Sequence, residues 1–409
     1  MPNAAVSGRD ARHPTGRKPG VAQGITVVAA GFLPILAIVS LFPAVPAIIA
    51  HFAARDPSAI IKVPSAVAAP GLTIALLAIF AGMATDRFGR RTMLLWATAF
   101  YALLGSAPFF LDSLDGLYVS RLLLGVTEAA VLTTMNTLIG DYWDEKGRRT
   151  WLSLQGMAGP LLASVVIASS GAATAWRWNA SFLIYLVAVP IFFATWAFLY
   201  EPTPQPHEQP KDAAAPVATP FPWRDVALFA PVTLFAAMLY YVFIINGGSV
   251  WQEVGVQSSA DIGRLSALPS LFTVVGAGIY WLVGKRSARL QLSLFLTLIG
   301  GGLIIMGLIH DWRGMIAGMI VQQTGVGMAV PVLIGWVQNY LPFAHRGRGM
   351  GIWTACFFFG QFLSPVVVGV VRMGAGTMQG AFVITGAIGL AGALIVNLVL
   401  AARRTPSAS

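Results

Sequence analysis

The chain has 409 residues, of which 56% are hydrophobic and only 10% charged; its net charge is +10 and its mean hydropathy +0.73. An average soluble domain is about a quarter charged, so this composition excludes a water-soluble globular protein. Repeated apolar stretches of about 20 residues also exclude a single membrane anchor and a transmembrane β-barrel, whose strands alternate in runs of about 10.

In chain order, residues 1–23 form a polar, basic tail with no cleavable signal. Twelve predicted spans follow, over residues 24–50, 64–85, 92–111, 116–141, 149–172, 179–200, 225–251, 262–283, 290–310, 314–341, 349–371 and 378–402. Lipid admits only structures that satisfy their own backbone, so each span is predicted helical and the fold all-α. Residues 201–224 interrupt the series with seven prolines together with Glu201, His207, Glu208, Lys211 and Asp212. Such a segment cannot bury a core and reads as a solvated linker. It divides the chain into an N-terminal six-helix bundle, 24–200, and a C-terminal one, 225–402, before a short tail at 403–409.

Basic residues set the orientation. With the N-terminus in the cytoplasm, nineteen of the 26 Lys and Arg fall on cytoplasmic segments and six on outer loops, while Arg121 lies within a span. Both termini are therefore predicted to be cytoplasmic, in a plasma or bacterial inner membrane. The net charge reads as topology and contact with anionic lipid, not as nucleic-acid binding. The lone cysteine, Cys356, excludes an internal disulfide and reads as a packing residue.

The halves repeat. Tyr142 and Arg148 match Tyr340 and Arg346 at an offset of 198, and Gly89-Arg90-Arg91 matches Gly284-Lys285-Arg286 at 195. Two parallel repeats with a site between them near the bilayer midplane are one known plan for a transporter. The chemistry is not repeated, since Trp281, Asn339 and Val326 stand where Asp86, Asp141 and Glu128 stand in the first half. Proton handling is expected in the first half.

Between the second and third spans lies Gly82-Met-Ala-Thr-Asp86-Arg87-Phe-Gly89-Arg90-Arg91. This stretch resembles the Gly-x-x-x-Asp-Arg-x-Gly-Arg-Arg/Lys loop of major facilitator superfamily transporters. The resemblance covers residues 24–402 and implies two pseudo-symmetric six-helix bundles that alternate access to the two sides of a membrane. Asp86, Arg87, Arg90 and Asp141 are predicted to form a conformational latch that ties the bundles together on the cytoplasmic side.

Arg121 and Glu128 are ionisable residues deep in the fourth span, where a charge costs at least ~2.5–3.5 kcal/mol and so needs a reason. They share a helix face with Gly125, which is expected to open room for water or substrate. Arg121 resembles the fourth-helix arginine of proton-coupled members of the family. Glu128 is expected to carry a proton or meet a cationic group, with Arg121 tuning it or binding a substrate carboxylate. The alternative is a structural buried ion pair.

Gly156, Gly159 and Pro160 in the fifth span look like part of the Gly-Pro-x-x-Gly-Gly motif of drug:proton antiporters, with Ala163 and Ser164 in place of its last two glycines. A kinked helix with a small face packed tightly on a partner is expected there. Asn136, Gln155, Tyr240, Asn246, Gln322, Gln323 and Gln361 are polar residues within spans and candidates for lining a cavity. Trp178, Trp251 and Trp312 read as interfacial anchors, and Glu253 as a solvated acid at the outer end of the seventh span.

There is no Walker loop, the five histidines lack metal-ligand spacing, and no catalytic set converges. The chain is therefore expected to be no enzyme and to need no cofactor beyond the proton gradient. The 12-helix drug:proton antiporter group fits best, and implies a monomer that exports a small organic molecule in exchange for protons, a multidrug-type efflux. Alternatives are a proton symporter importing an organic acid, an exporter of a zwitterionic metallophore, and a membrane sensor or scaffold on the same fold.

Overall fold

A computed structural model describes residues 19–202, 220–342 and 345–402. The basic tail up to residue 18, the linker centre at 203–219 and the tail 403–409 lie outside the described residues. Among the described residues twelve helices or helix pairs are long and apolar enough to cross a membrane.

The first half contains α1 (Val21–Val39), α2 (Val45–Ala53), α3 (Ala59–Phe88), α4 (Arg90–Ser106), α5 (Leu114–Tyr142), α6 (Glu145–Trp176) and α7 (Ala188–Phe198), the last preceded by a 3-10 turn over Ala180–Val187. The second half contains α8 (Trp223–Glu253), α9 (Ser259–Ser270), α10 (Phe272–Val283), α11 (Ala288–Leu308), α12 (Trp312–Tyr340), α13 (Arg346–Ala375) and α14 (Met378–Ala402). The repeat is plain in α5 and α12, each 29 residues long and offset by the same 198 positions. Several helices start where a short polar side chain caps them: Ser113, Asp144 and Asp311 accept from the backbone N–H three residues on.

Four predicted spans are not single α-helices; the third ends in a 3-10 turn over Ala107–Phe109. The first breaks between α1 and α2. Pro43 has no N–H to offer the carbonyl of Val39, and the chain turns through 3-10-type bonds, Leu41 to Ile38 and Phe42 to Val39 (both 3.3 Å). This leaves the carbonyls of Ala37 and Ser40 without their helical donors. The eighth span breaks between α9 and α10, beside Pro269. The sixth begins as the 3-10 turn that carries Tyr185.

The 82–91 loop, the α5–α6 and α10–α11 turns and the start of α13 lie on one face of the bundle, here called the basic face. The two halves touch toward the opposite face. There a Cβ on Gly171 of α6 would stand 2.4 Å from the carbonyl of Ser259 and 2.9 Å from Cα of Gly263 on α9. Ser164 donates to the Ala267 carbonyl at 2.7 Å. On the other side of the molecule, a Cβ on Gly71 of α3 would stand 2.6 Å from the Phe358 carbonyl of α13. Toward the basic face both helix pairs diverge. In lipid the hydrophobic effect does not hold helices together, so such backbone approaches and interhelical hydrogen bonds carry the packing.

This geometry corrects one expectation. Gly156 and Gly159 meet nothing within 4 Å where a Cβ would stand. The close contact of α6 lies further along, at Ser164 and Gly171, because Gly156 and Gly159 sit where the halves have parted.

Candidate functional site

The latch region is assembled from the ends of α3, α4 and α5. Arg90 Nε donates to Asp141 at 3.0 Å, and its Nη2 lies 3.2 Å from Asp86. Gly89 makes the tight turn before α4 with φ +91, which a side chain rarely adopts. A carboxylate fills the space beside it: Glu201 accepts from the backbone N–H of Arg90 (2.5 Å) and of Arg91 (3.0 Å), capping α4. Tyr142 donates to the Tyr200 carbonyl (2.5 Å) and accepts from the Tyr200 N–H (3.0 Å). Arg91 donates to the Trp196 carbonyl at 2.8 Å.

Two expectations change here. The ion pairs tie α3, α4 and α5 within the first half and do not reach the second, which stands apart at this face. Arg87 is not among them; it lies over the Phe88 ring, 5.7 Å from its centre. Glu201, read as part of a solvated linker, is a helix cap.

The central cluster depends on the break after α1. Arg121 is fully buried, and its Nη2 donates to the freed carbonyl of Ala37 at 3.1 Å. Tyr185 donates to the same carbonyl at 2.5 Å, and its ring lies under the guanidinium at 4.9 Å. Ser170 donates to the freed carbonyl of Ser40, and Tyr101 donates to the Leu33 carbonyl within α1 at 2.7 Å. Arg121 Nε and Nη1 have no hydrogen-bond partner.

Glu128 lies two turns further along α5, 2% exposed, and its Oε1 also has no partner. Arg121 and Glu128 form no ion pair, so the structural-pair alternative is not what holds them. Tyr101 and Tyr185 of the same half are fully buried. Gly125 does not open a space between Arg121 and Glu128. A Cβ there would meet the Pro70 carbonyl at 2.6 Å, so this glycine admits the backbone of α3.

The second half faces this cluster with aromatic rings. Tyr240 and Tyr241 both pack on Phe357, at 5.6 and 5.7 Å, and Trp353 stacks on Phe357 at 5.3 Å. Tyr241 is buried, 6% exposed, whereas Tyr240 is only partly so. Only a helix rotation decides which of two adjacent tyrosines turns inward, and no sequence period records it.

The candidate lining residues scatter. Asn136 lines a cavity of about 990 Å3 between α3, α5 and α13. Asn246 lines a smaller one of about 280 Å3 near the opposite face, with Arg372. Gln155 packs on α1, its Nε2 2.8 Å from where a Cβ on Gly31 would stand. Gln361 packs on Gly71 across the halves, and Gln322 on Gly302 of α11, with neither of its amide atoms paired. Gln323 is 6% exposed. These six do not converge on one site.

At the opposite face, Glu253 accepts from the backbone N–H of Met378 and of Gln379, both at 2.7 Å, and so caps α14 rather than standing free in solvent. Trp251 is fully buried, donating to Ser266 at 2.9 Å, and is no interfacial anchor. Trp178 stacks on His51 at 4.0 Å. His51 and then Arg55 hold the Asp112 carboxyl below its ordinary range. Lys62, then Ser58, pulls Asp56 down to about 2.

A sequence profile of the Major Facilitator Superfamily matches residues 27–310 and 257–409. The 3-(3-hydroxy-phenyl)propionate transporter of Escherichia coli is 24% identical over 74% of this chain and 75% of its own. The multidrug efflux pump LfrA of Mycolicibacterium smegmatis is 26% identical over 64% of this chain and 55% of its own. Among solved structures, the POT family transporter PepTSo superposes with a TM-score of 0.72 over 94% of this chain and 99% of that one, at 13% identity.

Proposed function

The chain belongs to the Major Facilitator Superfamily and is a multi-pass membrane transporter; from that premise we propose that it exports a small organic molecule in exchange for protons, by alternating access. The observation that carries this reading is the buried Glu128 carboxyl, whose Oε1 has no hydrogen-bond partner. An unpaired carboxylate in a dry interior is costly. Glu128 therefore takes up a proton when its surroundings close and gives it up when a water-filled cavity or a cationic group reaches it. Arg121 is pinned between the Ala37 carbonyl and the Tyr185 ring and supplies a fixed positive charge on the same helix.

The basic face is cytoplasmic by the excess of cations there, in the plasma or inner membrane, with both termini inside. The halves are parted at that face, so this conformation is the inward-facing one. Closing it brings Gly156 and Gly159 of α6 toward the second half and opens the contacts at Gly71 and Gly171. The Asp86–Arg90–Asp141 group then meets the second half and acts as the latch. One chain holds both halves and works as a monomer, driven by the proton gradient.

A second reading is proton-coupled uptake of a carboxylate. The unpartnered Nε and Nη1 of Arg121 favour it, as does the likeness to a 3-(3-hydroxy-phenyl)propionate transporter. The test is a pH dye sealed inside proteoliposomes, with candidate substrates added outside. Exchange moves protons against the substrate and symport moves them with it. Glu128→Gln is expected to lose proton-driven accumulation and keep downhill substrate exchange. A Glu128→Gln protein that drives accumulation like the wild type removes Glu128 from the proton path.

A further inference from the structure

We propose that the cavity between α3, α5 and α13 takes a single-tailed amphiphile with an anionic head, a fatty-acid-like molecule that enters sideways from the lipid leaflet beside the basic face. This rests on the transporter reading above and names the class of its cargo. The helices α3 and α13 touch where Ile61 lies 3.6 Å from where a Cβ on Gly369 would stand and where Gly71 meets Phe358 and Gln361. Beyond that point they part, and Ile74, Ala78 and Gly82 face Met350, Gly351 and Thr354 across the cavity. Its volume of about 990 Å3 sits at the upper end of the roughly 300–1,000 Å3 typical of small-molecule sites.

The wall is less polar than its residue names suggest. Thr133, Thr137 and Thr354 each donate to a carbonyl four residues back on their own helix, at 2.8, 2.9 and 2.9 Å. Asn136 does the same with Leu132 at 2.9 Å. The three hydroxyl protons and one N–H of Asn136 are spent in this way, and what remains toward the cavity is methyl and aliphatic surface together with the rest of the Asn136 amide. A sugar or a peptide would recover little of its lost hydration there, whereas an acyl chain loses nothing.

Among the described residues, Arg348 is the one charged side chain lining the cavity; it is exposed and has no ion-pair partner among them. The first turn of α13, from which it projects, carries no acid. The nearby carboxylate of Asp86 is engaged by Arg90. Trp223 stands beside the mouth, 67% exposed, as an aromatic ring at a membrane–water boundary does. Outside the gap, Leu76, Phe80 and Met83 of α3 are each at least 60% exposed and face lipid. A tail can slide from lipid into the gap without crossing water, while its head stays at Arg348. The far end of the cavity reaches Ala129, the residue next to Glu128.

The experiment is photolabelling with a diazirine-bearing palmitic acid, using the full chain in phosphatidylcholine nanodiscs with adducts mapped by mass spectrometry. Adducts are expected within 74–82, 132–137 and 350–354. Oleate should suppress them; monoolein and dodecyltrimethylammonium should not. Arg348→Gln should weaken labelling about tenfold, the size of one charge-assisted contact. Ala78→Phe and Thr354→Phe, checked for a wild-type melting temperature, should abolish it by filling the space. Labels confined to Leu76, Phe80 and Met83, equal competition by the cationic amphiphile, or unchanged labelling of Arg348→Gln would each overturn the proposal. Labelling without proton-coupled transport would sink the exchange reading and leave the site, whereas Glu128-dependent transport without labelling would sink the site alone.

Discussion

The two halves share an architecture and hold it together by different means. The first uses charges and hydroxyls: Arg90 between Asp86 and Asp141, Arg121 and Tyr185 on one carbonyl, Tyr142 on both backbone groups of Tyr200. The second uses glycine. A Cβ on Gly276 would stand 2.0 Å from the Thr324 carbonyl, and one on Gly327 2.0 Å from the Thr273 carbonyl. Gly300 and Gly386 stand against each other's carbonyls in the same way. Backbone pressed on backbone has one arrangement, while a polar network has several and responds to protons and ligands. The difference points to the first half as the part that senses and the second as the frame it works against.

The largest expected effect strikes the glycine frame. Gly276→Leu places a side chain on an unyielding carbonyl and should cost ~3 kcal/mol or more, enough to lose the folded protein in detergent. Gly156→Ala in the first half, where nothing lies within 4 Å, should leave the melting temperature unchanged. Equal losses in the two would break the comparison.

Between the halves, Gly171→Ala pushes against Ser259 and Gly263 and should cost this conformation ~1–3 kcal/mol without unfolding either half. Cysteine-accessibility labelling should then show the opposite face opening. Continued protection there would mean that α6 and α9 do not separate.

Next come the two carboxylates that cap helices from afar. Glu201→Ala and Glu253→Ala should each lower stability by ~1 kcal/mol, since each uncovers a helix N-terminus. Hydrogen exchange should rise locally, at 90–93 for the first and at 378–381 for the second. No local rise would mean that water replaces the carboxylate at no cost.

The smallest effect is in the acid range. Asp56 is held down to about 2, so its contribution is complete above its ordinary value of 3.8 and fades as pH falls toward 2. Asp56→Asn should flatten the pH dependence of the melting temperature within that window and change nothing at pH 7 relative to pH 5. An unchanged slope would assign acid sensitivity to other groups, with Asp112 next in line.

Much of the fold was legible in the sequence. The number of spans and the basic face follow from where residues prefer lipid or water, a property each residue carries alone. The Arg90–Asp141 contact was legible because the 82–91 loop fixes where its arginines stand. The site was read less well. Glu253, Trp251 and Glu201 looked like surface residues because their partners lie 15 to 126 positions away. Tyr185 passed as an ordinary aromatic residue of a span, since nothing local marks the Ala37 carbonyl that the break after α1 would free for it.

By itself the sequence determined that this is a twelve-span helical membrane protein whose first half carries the ionisable pair Arg121 and Glu128 deep within a span. Only the tertiary structure decided which residues meet: that Arg121 and Glu128 stay apart, that Gly125 is filled by α3, and that Tyr241 rather than Tyr240 turns inward. Partition between lipid and water is set one residue at a time, whereas contact depends on the rotation and tilt of several helices at once, fixed by backbone approaches that no single segment encodes.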